Sequence, residues 1–324
     1  MKRIRSSTEN REGMMDEGYV LVIGSAGVDI KGTPLAPLEW GVPNLGRVRN
    51  RAGGVARNIA ENLARLEIET ILITAVGDDA EGDRVLDYCE DNGIDCTHAR
   101  IVENARTGTY MALLTPEGDL EVAIGDFAVI NMIDRDYLLE HEPLLADAAM
   151  VVIDTTLSED ALHTVFELAA RHKVRVCADP TTPALAAKLC PYISQLYFVA
   201  PNAGETTALC GLENPAHDQD TAISAARQLV GLGAKIAVVT LAEKGLTYAD
   251  SSSSGFIRAI NTQVVDASGA GDALTGAVIF GLLNEVPLDE AMRLGVTAAT
   301  LTLQTPETVL PNLNQELLYD KLVV

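Results

Sequence analysis

Short apolar runs alternate with helix-patterned segments along most of this chain, and that alternation constrains its fold more than any other feature. YVLVIG (19–24) is an apolar run closed by glycine, the pattern of a strand buried on both faces. GGVARNIAENLARL (53–66) then carries Val55, Ile59, Leu63 and Leu66 at helical spacing. TILITAV (70–76) predicts a second buried strand, and DAEGDRVLDYCEDNG (79–93) a helix stopped by Gly93. The same alternation resumes at residue 150. MVVIDTT (150–156), VRVCADP (174–180), LYFVAPN (196–202) and KIAVVTL (235–241) read as strands, each leaving the sheet at a polar residue, proline or threonine. SEDALHTVFELAARH (158–172) reads as a helix with Ser158 at its N-cap, and 270–304 as mostly helical. Repeats of this kind build parallel βαβ units, so we expect a mostly parallel sheet with helices on both faces. Ligands in such sheets bind beyond the carboxyl ends of the strands. That rule selects 24–29, 53–58, 77–78, 154, 179–182, 202–205, 240–245 and 266–272 as the places to search.

The pattern breaks twice. TGTYMALLTPEGDLEVAIGD (107–126) reads as a hairpin turning at PEGD. IKGTPLAPLEWGVPNLGRVRN (30–50), with three prolines and the single tryptophan, reads as irregular. Together, about 30–48 and 103–126 form a candidate lid over a main domain spanning 19–322. Trp40, Tyr110, Met111 and Leu113 would give that lid an apolar face able to pair with a second lid, hence an expected homodimer.

Composition removes several function classes. A formal net charge of −22 opposes nucleic-acid and anionic-membrane surfaces, which need clustered Lys and Arg. Five cysteines without CxxC spacing suit a reduced, cytoplasmic chain. There is no HExxH and no His/Cys cluster, so no zinc site is expected. No window approaches a membrane span. The polar start, residues 1–18, is expected to be a disordered tail.

Five stretches could carry chemistry. GAGD (269–272) places small residues at a helix start, where free backbone N–H groups and the helix dipole attract an anion. An acid inside an anion site needs a task, and Asp272 could accept a proton from a hydroxyl attacking a phosphate; a plain glycine-rich helix start accounts for GAGD equally well. PNAGE (201–205) sets Asn202 and Glu205 where they could hold hydrated Mg²⁺, or simply cap a helix. GSAGVDI (24–30) puts Asp29 beyond the first strand, and AGGVARN (52–58) puts Gly53 and Gly54 before Asn58. Those groups suit a polyhydroxylated ligand, though a turn and a capped helix would look the same. VTLAEKG (239–245) reads as a surface turn whose position could still contact a nucleotide.

Taken together and in order, these stretches resemble the ribokinase, or PfkB, family of sugar and nucleoside kinases over residues 19–315. DASGAGD (266–272) is similar to the late signature DTxGAGD, GGVARN to GGxxxN, NAGE to NxxE, and TLAEKG to TxGxxG. Within that family, the pseudouridine kinases share the most: a GSAxxD opening (Gly24 to Asp29), the GGVxRNxAxNLAxL helix including Arg57, a lid strand ending VAIxD (Val122 to Asp126), and Asp179-Pro180. The resemblance implies a three-layer α/β/α ribokinase-like fold with a mostly parallel sheet and a small β-strand lid. It implies ATP-dependent phosphorylation of a 5′-hydroxyl, with Mg²⁺. Asp272 would be the base and Gly269, Ala270 and Gly271 the anion hole. Asp29, Gly53, Gly54, Asn58 and Asp126 would bind the acceptor; Asn202, Thr240 and Gly245 the nucleotide; Glu205 and Asn202 the Mg²⁺ through water. Asp266 and Ser268 would hold a monovalent cation such as K⁺. Three positions depart from the family pattern: Gly27 for the Asn of NxD, Ala56 for a common glycine, and Ala242 for the first glycine of TxGxxG. Alternatives are a ribokinase-like sugar kinase, another nucleoside kinase, and a kinase for a phosphosugar using Lys31, Arg47, Arg49 or Arg106. A non-catalytic sensor is a reading from another class. A dinucleotide oxidoreductase would need the absent GxGxxG.

Overall fold

A computed structural model describes residues 18–322. The tail expected at 1–18 therefore lies outside the described residues except for Gly18. Strands in chain order are β1 Val20–Ile23, β2 Gly27–Pro34, β3 Gly46–Gly53, β4 Thr70–Ile73, β5 Ala75–Gly77, β6 Arg100–Val102 and β7 Gly108–Leu114. They continue as β8 Leu120–Asp126, β9 Met150–Asp154, β10 Val176–Asp179, β11 Leu196–Val199, β12 Ile236–Thr240, β13 Gly245–Asp250 and β14 Ser254–Arg258. Among the described residues, eight of these form the central sheet in the order β14-β13-β12-β11-β10-β9-β1-β4. From β4 to β12 every pairing is parallel, and only β13 and β14 join antiparallel.

Both faces of the sheet are buried, as continuous apolar strands require. Leu21 and Ile23 point into a core built with Leu162, Val165 and Phe166 of the helix Glu159–His172. Val20 and Val22 point the other way, against Ile59 and Leu63 of the helix Val55–Arg65 and Val278 and Ile279 of the helix Ala270–Leu283. The expected three layers follow. Ser158 does cap its helix, its hydroxyl accepting the Ala161 amide at 3.1 Å.

Two readings are corrected. The run 70–76 is two strands: after Ile73 the chain leaves the central sheet, and β5 pairs with β6 in a separate ribbon. An apolar run does not disclose which partner each half finds. The stretch 30–50 is also more regular than its sequence suggests. β2 and β3 pair antiparallel along eight residues each and combine with β7 and β8 into a four-stranded lid sheet ordered β3-β2-β7-β8. The β3 sequence GRVRNRAG is charged and mostly exposed, so no hydrophobic alternation announces it.

Candidate active site

The helix Ala270–Leu283 begins without a side-chain cap, so its first amides have no partner from a capping residue. Gly269 occupies the N-cap with φ 77°, and a Cβ there would collide with the Thr308 carbonyl; only glycine fits. Gly271 is the opposite case. A Cβ built on it meets nothing within 4 Å, so the absent side chain leaves open space over the first turn. Unpartnered amides beside open space could seat an anion.

Asp272 sits in that first turn, 8% exposed. Burial pushes its carboxyl up to about 7, against the lowering influence of a hydrogen bond from Asn58 and of Arg57. The Asn58 amide donates to Asp272 at 2.6 Å. Asn58 is itself fixed by Arg57, whose fully buried guanidinium donates to its side-chain oxygen and to Glu61. The same guanidinium reaches the Ala52 carbonyl at 2.7 Å and the Thr308 hydroxyl at 2.9 Å. It thereby ties the loop beside Gly269 to the helix that carries Asn58.

Asp154, at the end of β9, holds the start of that helix. It accepts the amides of Ser25 at 2.8 Å and Ala56 at 3.1 Å. The helix follows Gly54, at φ 98°, which supplies no side-chain cap, so a carboxylate 98 residues away takes over. Neither Arg57's network nor Asp154 is visible as a local motif, although Arg57 belongs to the GGVARN stretch.

Asp29 lies on β2 directly over Gly53, where any Cβ would strike its carboxylate. Burial raises the Asp29 carboxyl, opposed by Arg57 and Lys31. Register assigns the lid's faces. Asp29 stands opposite Arg51 and Tyr110, and Lys31 opposite Arg49 and Ala112, so Asp29, Lys31 and Tyr110 share the inner face. Asp126 stands opposite Thr109, which pairs with Val28, and so lies on the outer face, its carboxylate accepting the Ala128 amide at 3.1 Å. Strand alternation turns Asp126, expected at the acceptor, to the lid face opposite that of Asp29. Tyr110 likewise leaves the outer apolar face, which Met111 keeps and Ile124 joins.

A monovalent cation was expected at Asp266 and Ser268, held by backbone oxygens and the Asp266 side chain; in the structure a lysine reaches the side chains of both residues. The Lys31 ammonium donates to both Asp266 oxygens, at 2.7 and 2.9 Å, and to the Ser268 hydroxyl at 2.6 Å. Burial would raise the Asp266 carboxyl, but the Lys31 hydrogen bond and its companions leave it lowered. The positive charge beside Asp266 is thus supplied by a side chain of the lid.

Asn202 and Glu205 form the full capping box of the helix Ala203–Cys210. Glu205 accepts the Asn202 amide N–H at 2.9 Å and its side-chain N–H at 2.7 Å. Each Glu205 oxygen keeps a lone pair for a water. Burial raises the Glu205 carboxyl. Asp179 is raised well above its usual range, first by burial and then by the charges of Asp272 and Glu205. This corner holds more negative charge than its neighbours offset, which suits a hydrated divalent cation.

Asn202 and Thr240 bridge between neighbouring strand ends and open onto a cavity of about 840 Å³ that also reaches Ala270 and Gly271. Its apolar walls include Leu241, Ile260, Val264, Leu274 and Val296, and His217 and Arg258 add polar groups. None of Ile260, Val264 or His217 stood out in the sequence, because the slot is assembled from separate loops. Ala242 and Gly245 line it too. Ala242 keeps a left-handed backbone, φ 50°, at the position where a glycine was expected. Gly245 is irreplaceable, since a Cβ would collide with the Ile257 carbonyl.

The family model described as pfkB family carbohydrate kinase matches residues 17–315. The chain is 30% identical to a pseudouridine kinase of Escherichia coli over 93% of its own length and 95% of the relative's. It is 31% identical to a guanosine-inosine kinase of Exiguobacterium acetylicum over 89% and 95%. A crystal structure of a putative sugar kinase from Clostridium perfringens superposes with a TM-score of 0.81 at 27% identity, covering 95% of this chain and 96% of the other.

Proposed function

The chain belongs to the pfkB family of carbohydrate kinases, and from that premise we propose that it transfers the γ-phosphoryl group of ATP to the 5′-hydroxyl of a nucleoside, pseudouridine being the first candidate. The observation that carries the proposal is Asp272. It is a buried carboxylate with its titration moved near neutrality, bonded to Asn58, beneath a glycine loop with open space at Gly271. A general base works best with a pKa near the working pH.

In this reading the acceptor lies between Asp29 and Asp272, its hydroxyl groups bonded by Asp29 and Asn58. Asp272 takes the hydroxyl proton as the oxygen attacks. The unpartnered amides at the start of the helix Ala270–Leu283 stabilise charge on the transferred group. The adenine occupies the apolar slot beyond Thr240 and Gly245. Mg²⁺ brought with the nucleotide would be held through water by Asn202 and Glu205, and would neutralise phosphate oxygens. The lid, about 30–48 and 103–126, excludes water over a single kinase domain spanning 19–322.

Among the described residues no helix is long and apolar enough to cross a membrane. We place the enzyme in the cytoplasm as a homodimer whose lids pair. Met111, Ile124, Val122 and Val48 leave an apolar outer lid face, and burying it would offset its exposure to water. Sedimentation showing only monomer at micromolar concentration rejects the dimer.

A coupled ADP-release assay comparing pseudouridine, uridine, ribose and fructose 6-phosphate tests the acceptor. Turnover highest on pseudouridine supports the reading. Strong turnover on ribose with none on pseudouridine replaces it with a sugar kinase, and binding without turnover on any of them replaces it with a sensor.

A further inference from the structure

Lys31 has no place in the phosphoryl-transfer scheme above, yet it is one of the most heavily bonded side chains near the site. It stands on the lid strand β2, two residues beyond Asp29 and on the same face. Its ammonium spans 235 positions of sequence to reach Asp266, and it is only 15% exposed. The bonded loop, Asp266 to Ser268, runs directly into Gly269, the cap of the anion-binding helix. Asp266 also accepts the Ser268 amide at 2.9 Å, so the carboxylate shapes the loop while the lysine neutralises it.

We propose that Lys31 is the resident cation of the phosphoryl-transfer site: it fills the place of a monovalent metal ion at Asp266 and Ser268, and it ties the lid to the glycine loop. The proposal rests on the kinase reading for its catalytic consequence. An ammonium and a potassium ion carry the same charge and are of similar size, and both seek carboxylate and hydroxyl oxygens. Asp266 Oδ1 already accepts both the Lys31 ammonium and the Ser268 amide, Oδ2 accepts the ammonium again, and a second cation beside that ammonium would be repelled at close range. A tethered ammonium has a further effect that a free ion lacks. It belongs to the lid, so lowering the lid over the acceptor and ordering the loop before Gly269 become one event. Lys31 is thus a positioning residue, acting on the anion seat through Asp266 and Ser268.

The test compares the wild type and Lys31→Met in potassium chloride and in tetramethylammonium chloride at equal ionic strength, reading both turnover and melting temperature. Wild-type turnover should agree within about twofold between the salts, and its melting temperature should not respond to K⁺. Lys31→Met should lose about tenfold or more in tetramethylammonium, the usual cost of a lost charge-assisted hydrogen bond. K⁺ should then restore much of the rate and raise the melting temperature, because the vacated oxygens accept it. A lysine with a merely structural role would give no rescue by K⁺. The proposal is overturned if K⁺ activates the wild type several-fold, or if Lys31→Met in tetramethylammonium is as active as the wild type. The wild-type comparison decides even if Lys31→Met does not fold. Should no acceptor turn over, the functional reading fails by itself, and the melting temperatures still decide whether Lys31 excludes the ion.

Discussion

Asn58 donates its side-chain amide to Asp272 across 2.6 Å, although 214 positions separate the two residues. This bond joins the early glycine motif to the late one and sets the electrostatics of the proposed base. Asn58 favours the charged form of Asp272, while burial favours the neutral one.

Asp272→Asn should fold, bind acceptor and lose on the order of 10²–10⁴-fold in turnover. It should also be more stable than the wild type in alkaline solution. The folded pKa of Asp272 is raised to about 7, so its contribution to stability is complete below the unfolded value and is lost as pH rises through about 7. The amide has no such loss. Melting curves should therefore separate the two proteins by a few degrees or more near pH 8, with the gap narrowing through pH 5 and closing as pH falls to about 4, the unfolded carboxyl value. Near-normal turnover in the variant would remove Asp272 from the role of base.

The pH dependence of kcat/KM should rise from acid and level off with an apparent pKa of about 7, since the base must be ionised in the free enzyme. Asn58→Ala removes a bond that lowers that pKa, so its acid limb should move to higher pH. A limb that stays in place while the rate falls would assign Asn58 to acceptor binding alone.

Gly269 and Gly271 should respond oppositely to alanine. Gly269→Ala places a Cβ against the Thr308 carbonyl at a left-handed backbone position, and the protein should lose about 2 kcal/mol or more of stability. Gly271→Ala adds a methyl group to empty space on a helix, which should leave the melting temperature unchanged or raise it by up to about 1 kcal/mol worth of stability. Its turnover should fall because the methyl enters the anion seat. Full activity in Gly271→Ala would move that seat elsewhere.

Ala242→Gly should stabilise the protein. A non-glycine residue at φ 50° costs about 1–2 kcal/mol, and glycine gives back part of that gain as backbone entropy, leaving a net benefit of about 0.5–1 kcal/mol. Thermal melting should shift up by about a degree with little change in KM for ATP. A lower melting temperature would mean that the methyl group packs usefully in the slot.

Much of the molecule was legible without coordinates. β1 and β9 to β12 are short apolar runs closed by glycine or by polar or turn residues, and that pattern identifies them. Gly269 to Asp272 were legible as a glycine-rich helix start with an acid in its first turn. The lid was legible as an interruption but not as a sheet. β3 has the composition of a surface loop, and its pairing with β2 is specified by the partner strand rather than by its own side chains. The face that Asp126 takes was not legible, because a strand's faces alternate at every residue and the inner face is defined only once β7 and β8 are in register.

The sequence by itself determined the layered α/β architecture, the helix starts and the identity of the acid in the glycine loop. All of these depend on patterns within a few residues. Tertiary structure alone decided that Asn58 and Arg57 stand behind Asp272, that Asp154 caps a helix 98 residues away, and that Lys31 occupies Asp266. Each of those is a contact between charged or polar groups brought together by packing. Buried charges must find partners wherever the fold supplies them, and no local pattern records which partner that will be.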